Sequence, residues 1–434
     1  MQLLFVHPNF PGQFGPILSR LSKQPNLDCV FLSNNASGMH DGVRCIPFKL
    51  LGGATQSTHY CSRTFENAVW SAHAVYEACE AAQLNLDVII GHSGFGTTVF
   101  LQELYRCPIV NLFEYYYHAH QSDLDFRPDF PPQAISRLRA HARNAMILLD
   151  LQACTAGYTP SAWQKSLFPQ EWAPKLEVMH DGIDTEQWKR RAVPRRIGDE
   201  VIDDDVRIVT YVARGLEAMR GFDIFVRVAN RIAQEMRNVL FVVVGSDRVC
   251  YGNDLNHIKT KTFREHVIQT EQPDLTRFRF LGTVPQAQLA DLLSMSDLHI
   301  YLTVPFVLSW SLLNALACEC TVLASDVAPV REVIEHGRTG LLGDFFDVDG
   351  LAAQALRVLR DPRQYRELGR TGRALIEQQY SLDHTLPQFR SLLEKVTSGA
   401  DAFLLRRTAG EAHTGSAEYS PQECVVARDR EKRA

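Results

Sequence analysis

The sequence runs to 434 residues, room for two or three domains at ~150 residues each. With 45% apolar and 22% charged residues it has the composition of a soluble globular protein, which excludes a mostly disordered or fibrous chain. The 45 Lys and Arg against 50 Asp and Glu leave a net charge of −5, which speaks against a general nucleic-acid binder and against attraction to an anionic membrane.

No apolar run approaches the ~18 residues of a membrane-spanning helix. The N-terminus lacks the basic start and small-residue cleavage site of a signal peptide, so a cytoplasmic protein without a transmembrane segment is expected. The 10 cysteines are scattered without a CxxC pair, and Cys318 and Cys320 stand too close for an ordinary zinc arm, so reduced core thiols are expected.

In chain order the pattern is strand, turn, helix, repeated. Apolar runs at 3–6, 29–32, 87–90 and 109–113 read as strands, and a helical pattern begins near Phe14. The pattern restarts at 207–212, followed by a helix over 222–232 and strands at 239–244, 278–281, 298–301 and 321–324. Continuous apolar runs alternating with helices predict parallel strands buried on both faces. The charged, Pro-containing stretch 188–205 reads as a linker, with the boundary near Pro194. A helix is expected over 380–396. From Ser398 onward small and charged residues predict a disordered tail, in which 402–405 (Ala402, Phe403, Leu404, Leu405) is the one stretch apt to dock. The expected fold class is therefore α/β, with two tandem Rossmann-like doubly wound domains and a cleft between them. Its organisation is a first domain over 1–194, a second over 195–378, a helix over 379–397 packing back on the first domain, and a tail over 398–434.

Ligands of such sheets bind beyond the C-terminal ends of the strands, so the loops there are the candidates. After the strand at 207–212 come Arg214 and Arg220, whose guanidinium forks suit phosphate oxygens; two solvated surface arginines are the plain alternative. After the strand at 298–301, residues 303–314 lead into a helix with Ser309 as N-cap and Asn314 on its first turns, a ready anion site with a ribose partner. Leu308, Trp310, Leu312 and Leu313 there also read as core packing. In the first half Gly12 lies in a glycine turn that permits close backbone approach. His92, in Gly91-His92-Ser93-Gly94-Phe95-Gly96, and Glu114, just after 109–113, are aimed at the cleft by position. His118, His120, Asp123 and Asp125 cluster without metal-site spacing, so no metal is expected.

These residues resemble a known family. Arg214-Gly215-Leu216, Arg220-Gly221, Phe280-Leu281-Gly282, Ala315-Leu316-Ala317-Cys318, 322–326, 332–334 and Gly337-Arg338-Thr339-Gly340-Leu341-Leu342 form a long ordered array similar to the nucleotide-sugar domain of family 4 glycosyltransferases, retaining enzymes of the GT-B fold. In the first half, 10–14, 91–96, Arg143-Asn144 and 159–164 are similar to a bacterial subgroup, and His180-Asp181-Gly182-Ile183-Asp184 matches the family's turn before the second domain. The resemblance covers roughly residues 1–395.

It implies a nucleotide-diphosphate sugar (UDP- or GDP-type) as donor, no cofactor, no metal, and a carbohydrate, small-molecule or lipid-linked acceptor. Arg214 and Arg220 would hold the diphosphate. Gly12, Gly282, Thr283, Phe306, Val307, Leu308, Ser309, Trp310 and Asn314 would contact the donor, with backbone at Gly282 and Thr283 holding the base. Glu114 and His92 would position sugar or acceptor, and Tyr115, Tyr116 and His118 would meet the acceptor. The acceptor loops are expected at 52–65 and 115–132. The family's paired glutamates fall on Phe306 and Asn314, and its first-domain histidine falls approximately on Glu114. A nucleotide-sugar epimerase and a non-catalytic or donor-impaired binding partner are the rival readings. Donor sugar, acceptor identity and oligomeric state are not encoded in these motifs.

Overall fold

The structure, a computed structural model, describes residues 1–95 and 98–398. Gly96 and the expected tail from residue 399 onward, with its 402–405 stretch, lie outside the described residues, while Ser398 ends the last helix.

The first sheet comprises β1 (Gln2–Val6), β2 (Asp28–Ser33), β3 (Gly38–His40), β4 (Val43–Pro47), β5 (Val88–His92), β6 (Ile109–Leu112), β7 (Ala156–Thr159) and β8 (Leu176–Val178), in the order β3-β4-β2-β1-β5-β6-β7-β8. All pairings are parallel except β3 with β4. The apolar runs form strands because both sheet faces are covered. Leu4, Val6, Val30, Leu32 and Ile89 pack on one side with Ala74, Val75 and Cys79 of helix Arg63–Ala82 and Ile147 and Leu151 of helix Ala134–Ala153. Their neighbours Leu3, Phe5, Cys29, Phe31, Val88 and Ile90 face the other way, as the two-residue repeat of a strand demands. That second side is covered by helix Gly15–Leu21 and by Phe389, Leu392, Leu393 and Val396 of helix Leu382–Ser398, so the end of the described chain returns to the first sheet.

The stretch read as a linker holds a small antiparallel hairpin, β9 (Arg196–Ile197) with β10 (Glu200–Val201). Ile197 and Ile202 are buried against Leu240 and Val242, so this segment is packed onto the second domain rather than free. The second sheet comprises β11 (Arg207–Gly215), β12 (Val239–Ser246), β13 (Phe278–Gly282), β14 (Leu298–Tyr301), β15 (Val322–Ser325) and β16 (Leu341–Gly343), all parallel, in the order β13-β12-β11-β14-β15-β16. Strand order reverses between β1 and β5 in the first sheet and between β11 and β14 in the second, the two places where such folds open a crevice.

The domains meet through specific bonds. Glu332 of the second domain accepts hydrogen bonds from the backbone N–H groups of Ala162 (2.7 Å) and Trp163 (2.8 Å), at the start of helix Ala162–Ser166 of the first. Those N–H groups have no intrahelical acceptor, so Glu332 caps a helix across the cleft. Glu332→Ala is expected to lower stability by about 1 kcal/mol, the usual cost of losing an N-terminal cap, read as a shift in the urea midpoint. An unchanged midpoint would show that water replaces the carboxylate without loss.

Candidate active site

On the first-domain side three neighbouring strands end together. His7 follows β1, His92 ends β5 and Glu114 lies two residues beyond β6. The His7 and His92 rings stack with centroids 5.2 Å apart and planes 20° apart. His92 Nε2 lies 3.4 Å from Glu114 Oε2. Gln13 Nε2 donates to Glu114 Oε1 (3.1 Å), and Gln164 Nε2 donates to the Glu114 backbone oxygen (2.6 Å). The turn after β1 requires glycine at position 12: its φ is +55°, and a Cβ there would stand 2.5 Å from His7 Nδ1. Asp150 holds the turn after β5, accepting from Ser93 Oγ (2.9 Å) and Gly94 N (3.1 Å).

Burial sets the charges here. It pushes His7 down to about 4, helped by the charge of His92, so His7 is neutral at neutral pH. Burial alone would raise the Glu114 carboxyl; the charge and hydrogen bond of His92, with the bond from Gln13, outweigh it and hold Glu114 below the ordinary glutamate range. Asp181, buried beside them, is pushed up to about 7 by burial and then by the charge of Glu114, against the hydrogen bond it accepts from Trp310 Nε1 (2.9 Å). Because the folded value lies above the unfolded one, Asp181 contributes stability that is complete below ~pH 4 and lost as pH rises through about 7. Wild type should therefore lose stability relative to Asp181→Asn between about pH 4 and about pH 8, at up to ~1.4 kcal/mol per pH unit, in urea unfolding. Parallel stability curves would contradict this placement of the proton.

On the second-domain side β11 ends in Arg214 and Gly215. Arg214 is exposed, with Nη1 3.4 Å from the Tyr251 hydroxyl. It stands at the C-terminal end of β11, the strand beside the second switch point, within electrostatic reach of His7 and Glu114. Arg220 is buried, donating to Thr303 Oγ1 (2.8 Å), the Tyr301 hydroxyl (3.4 Å) and the Val307 backbone oxygen (3.0 Å), with its guanidinium 5.4 Å from the Tyr251 ring and 5.6 Å from the Phe306 ring. Tyr251 is put there by Glu217, whose wholly buried carboxylate accepts from the backbone N–H groups of Cys250, Tyr251 and Gly252 (2.9–3.1 Å). Gly282 ends β13 at φ +64° and opens onto free space, since a Cβ there would meet nothing within 4 Å; Thr283 beyond it is exposed. Ser309 caps helix Trp310–Ala317, accepting from Ser311 N. Asn314 on that helix is buried, and its Oδ1 has no hydrogen-bond partner.

Residues 25–188 match the family described as "Glycosyl transferase family 4 group", and residues 194–375 match "Glycosyl transferases group 1". The chain belongs to the family 4 glycosyltransferases. Among curated relatives it is 25% identical over 217 residues to N-acetyl-alpha-D-glucosaminyl L-malate synthase of Bacillus anthracis, covering 50% of this chain and 53% of that protein. It is 27% identical over 236 residues to alpha-maltose-1-phosphate synthase of Mycolicibacterium smegmatis, covering 52% and 58%. The chain thus spans about half the length of the curated relatives it matches. Its fold is that of sucrose-phosphate synthase from Thermosynechococcus elongatus (TM-score 0.70, 15% identity, 92% of this chain and 100% of that one). It is likewise that of Anabaena HepE in complex with UDP and glucose (TM-score 0.64, 15% identity, 91% and 100%). These likenesses confirm the two-domain GT-B plan.

The chain brings Arg214, Arg220, Glu114, His92 and Gly12 to the strand ends beside the two switch points. Several other expectations change. Tyr115 does not face an acceptor: it is buried among second-domain residues, its ring 4.8 Å from that of Phe306 and its hydroxyl bonded to Asp123 (2.6 Å). Tyr116 packs on Phe168, while exposed His118, its Nε2 2.9 Å from the Leu167 oxygen, lines a cavity beside Tyr117. Phe306 is an apolar wedge between Tyr115 and Tyr251. Leu312 and Leu313 are core, but Trp310 is not simple packing, because its indole N–H crosses to Asp181. Among the described residues no three His, Cys, Asp or Glu side chains gather as a metal site: Asp123 is taken by Tyr115, and Asp125 by the N–H groups of Gln121 and Ser122. His7, Asp181, Glu217 and Tyr251 were not singled out from the sequence. Of these, His7 carried a signal by following the first strand, and Asp181 by lying in the turn that matches the family.

Proposed function

We propose that the chain transfers a sugar from a nucleotide-diphosphate sugar to an acceptor held by the first domain, with retention of anomeric configuration and without a metal. The observation that carries this reading is the pair Arg214 and Arg220. One is exposed, one buried, both lie beside Tyr251, and they sit at the mouth of a doubly wound sheet. Two fixed cations there stabilise a diphosphate as it leaves, a contribution that needs no reorganisation during the reaction. In the step itself the bond from the sugar C1 to the phosphate oxygen breaks. A bond from C1 to the acceptor hydroxyl oxygen forms on the same face. The hydroxyl proton passes to the departing phosphate. Glu114, held ionised by His92, places a negative charge where positive charge develops on the sugar.

The relatives support this reading. Two are named as synthases of a glucosaminyl malate and of a maltose phosphate, and HepE was solved with UDP and glucose. The buried Oδ1 of Asn314, unpartnered in the described structure, is available to a donor hydroxyl. The test is a panel of UDP-, GDP- and ADP-sugars with candidate acceptors, in the presence and absence of EDTA. Nucleoside diphosphate release and the anomeric configuration of the product by NMR are followed. Release from one donor, insensitive to EDTA and giving the donor's own anomer, is expected. An inverted product, or loss of turnover in EDTA, would overturn the corresponding part of the reading.

A further inference from the structure

Beyond Tyr251 and Tyr117 lies a cavity of about 100 Å³ between helix Ala134–Ala153 of the first domain and the loop after β12 of the second. Arg139 and Arg143, one helical turn apart, both line it. Each guanidinium is held in place by an aromatic ring. Arg143 sits 3.6 Å from the centre of Tyr117 and donates to its hydroxyl (2.6 Å); Arg139 sits 4.7 Å from the centre of Tyr60 and donates to its hydroxyl (3.0 Å) and to Thr64 Oγ1 (3.2 Å). Asn144 fixes Tyr117 in turn, with bonds to both its backbone N (2.9 Å) and its O (2.8 Å).

These two arginines differ from Arg127, the third in the wall, which is paired with Asp129 and Asp223. Among the described residues neither Arg139 nor Arg143 has a carboxylate within 4 Å, and the Nε of each is buried without a hydrogen-bond partner. Two carboxyls also line the cavity, and neither is paired with these arginines. Burial raises Asp123, and it pushes Asp254 up to about 7. Two ordered cations with no carboxylate in ion-pair contact are costly in a walled cavity unless an anion shares it.

We propose that this cavity binds the anionic group, a carboxylate or phosphate, of a small acceptor, with Arg139 and Arg143 as its recognition residues. This rests on the sugar-transfer reading and names the class of acceptor. The position suits that role, because Tyr117 packs on Tyr115 (centroids 5.1 Å apart) and Tyr251 is shared with the arginine pair that faces the donor. The acceptor's charged end would lie in the cavity, and its hydroxyl would reach back toward Glu114.

The test is calorimetric titration of the full chain with inorganic phosphate, L-malate, α-glucose 1-phosphate and uncharged glucose, in the presence of saturating UDP. At least one anion is expected to bind while glucose does not. Arg139→Gln and Arg143→Gln are each expected to weaken that binding tenfold or more, and Arg143→Lys, which keeps the charge, to recover part of it. A UDP titration of each variant reports whether the second domain is intact. The proposal fails if no anion binds wild type, if both glutamine variants bind as wild type does, if glucose binds as tightly as the anions, or if UDP displaces the anion and so places it at Arg214 and Arg220. If UDP does not bind wild type, GDP or ADP takes its place in these titrations; if none of the three binds, it is the donor reading that fails, and the anion titrations without nucleotide still decide the cavity.

Discussion

Arg214→Ala is expected to lower turnover about 10²–10³-fold, the range seen when one fixed donor to a developing negative charge is removed. The same change should move stability by no more than about 0.5 kcal/mol, because the side chain is exposed and makes a single long bond to Tyr251. That separation makes Arg214 the cleaner probe of the pair. Arg220→Ala would also remove three hydrogen bonds that tie Tyr301, Thr303 and Val307, so its loss of activity would be mixed with a loss of folding. Steady-state kinetics with a competent donor, alongside urea unfolding, distinguishes the two effects. Full turnover in Arg214→Ala would remove the diphosphate assignment.

The largest effect on stability is expected at Arg127→Ala, about 3–5 kcal/mol, the range for breaking a buried ion pair by removing one partner. Arg127 belongs to the loop after β6, yet it is buried against the second domain. It bonds Asp223 through Nη1 (3.1 Å) and Nη2 (2.7 Å), donates to the Ala218 oxygen (3.0 Å), and lies 5.0 and 5.2 Å from the Phe130 and Phe345 ring centres. Without it Asp223 keeps only Arg227, 3.7 Å away and more exposed, so a nearly buried carboxylate is left poorly compensated. The double variant Arg127→Met with Asp223→Leu should recover much of the loss, since it leaves no orphaned charge. Urea unfolding of wild type, single and double variants provides the comparison. A single variant as stable as wild type would mean that water enters and solvates Asp223.

The parts of this architecture that showed in the sequence are those that depend on local pattern. Parallel strands buried on both faces are apolar throughout, so β1, β2, β5, β6 and the central strands of the second sheet stood out. The strands that did not are short or mixed. β3 is Gly38-Met39-His40, β4 carries Arg44, and β7 is Ala156-Gly157-Tyr158-Thr159; they are strands because a neighbour pairs with them, not because their side chains demand it. The hairpin β9–β10 was hidden in charged sequence, and only Ile197 within it and Ile202 just after it mark its contact with the second domain.

The site divides the same way. Arg214, Arg220, His92 and Glu114 were legible because each follows a strand, and position after a strand is itself a spatial statement in this fold class. The bond from Trp310 to Asp181 joins residues 129 apart in sequence, and no local pattern announces it. Tyr115 misled for a related reason. An aromatic residue in a loop beside the cleft has the look of a ligand contact, yet tertiary packing uses it to wedge the first domain against Phe306 of the second. Glu217 shows the converse: an acid next to the arginine pair whose role is to fold the loop that carries Tyr251.

The mechanism turns on whether the cleft facing Arg214 and Arg220 holds a nucleoside diphosphate through fixed protein charge. Calorimetric titration of wild type with UDP, GDP and ADP, in buffer containing EDTA, tests this most directly. One of the three is expected to bind, and Arg214→Ala is expected to weaken that binding by tenfold or more. Failure of all three to bind, or equal affinity in wild type and Arg214→Ala, would contradict it.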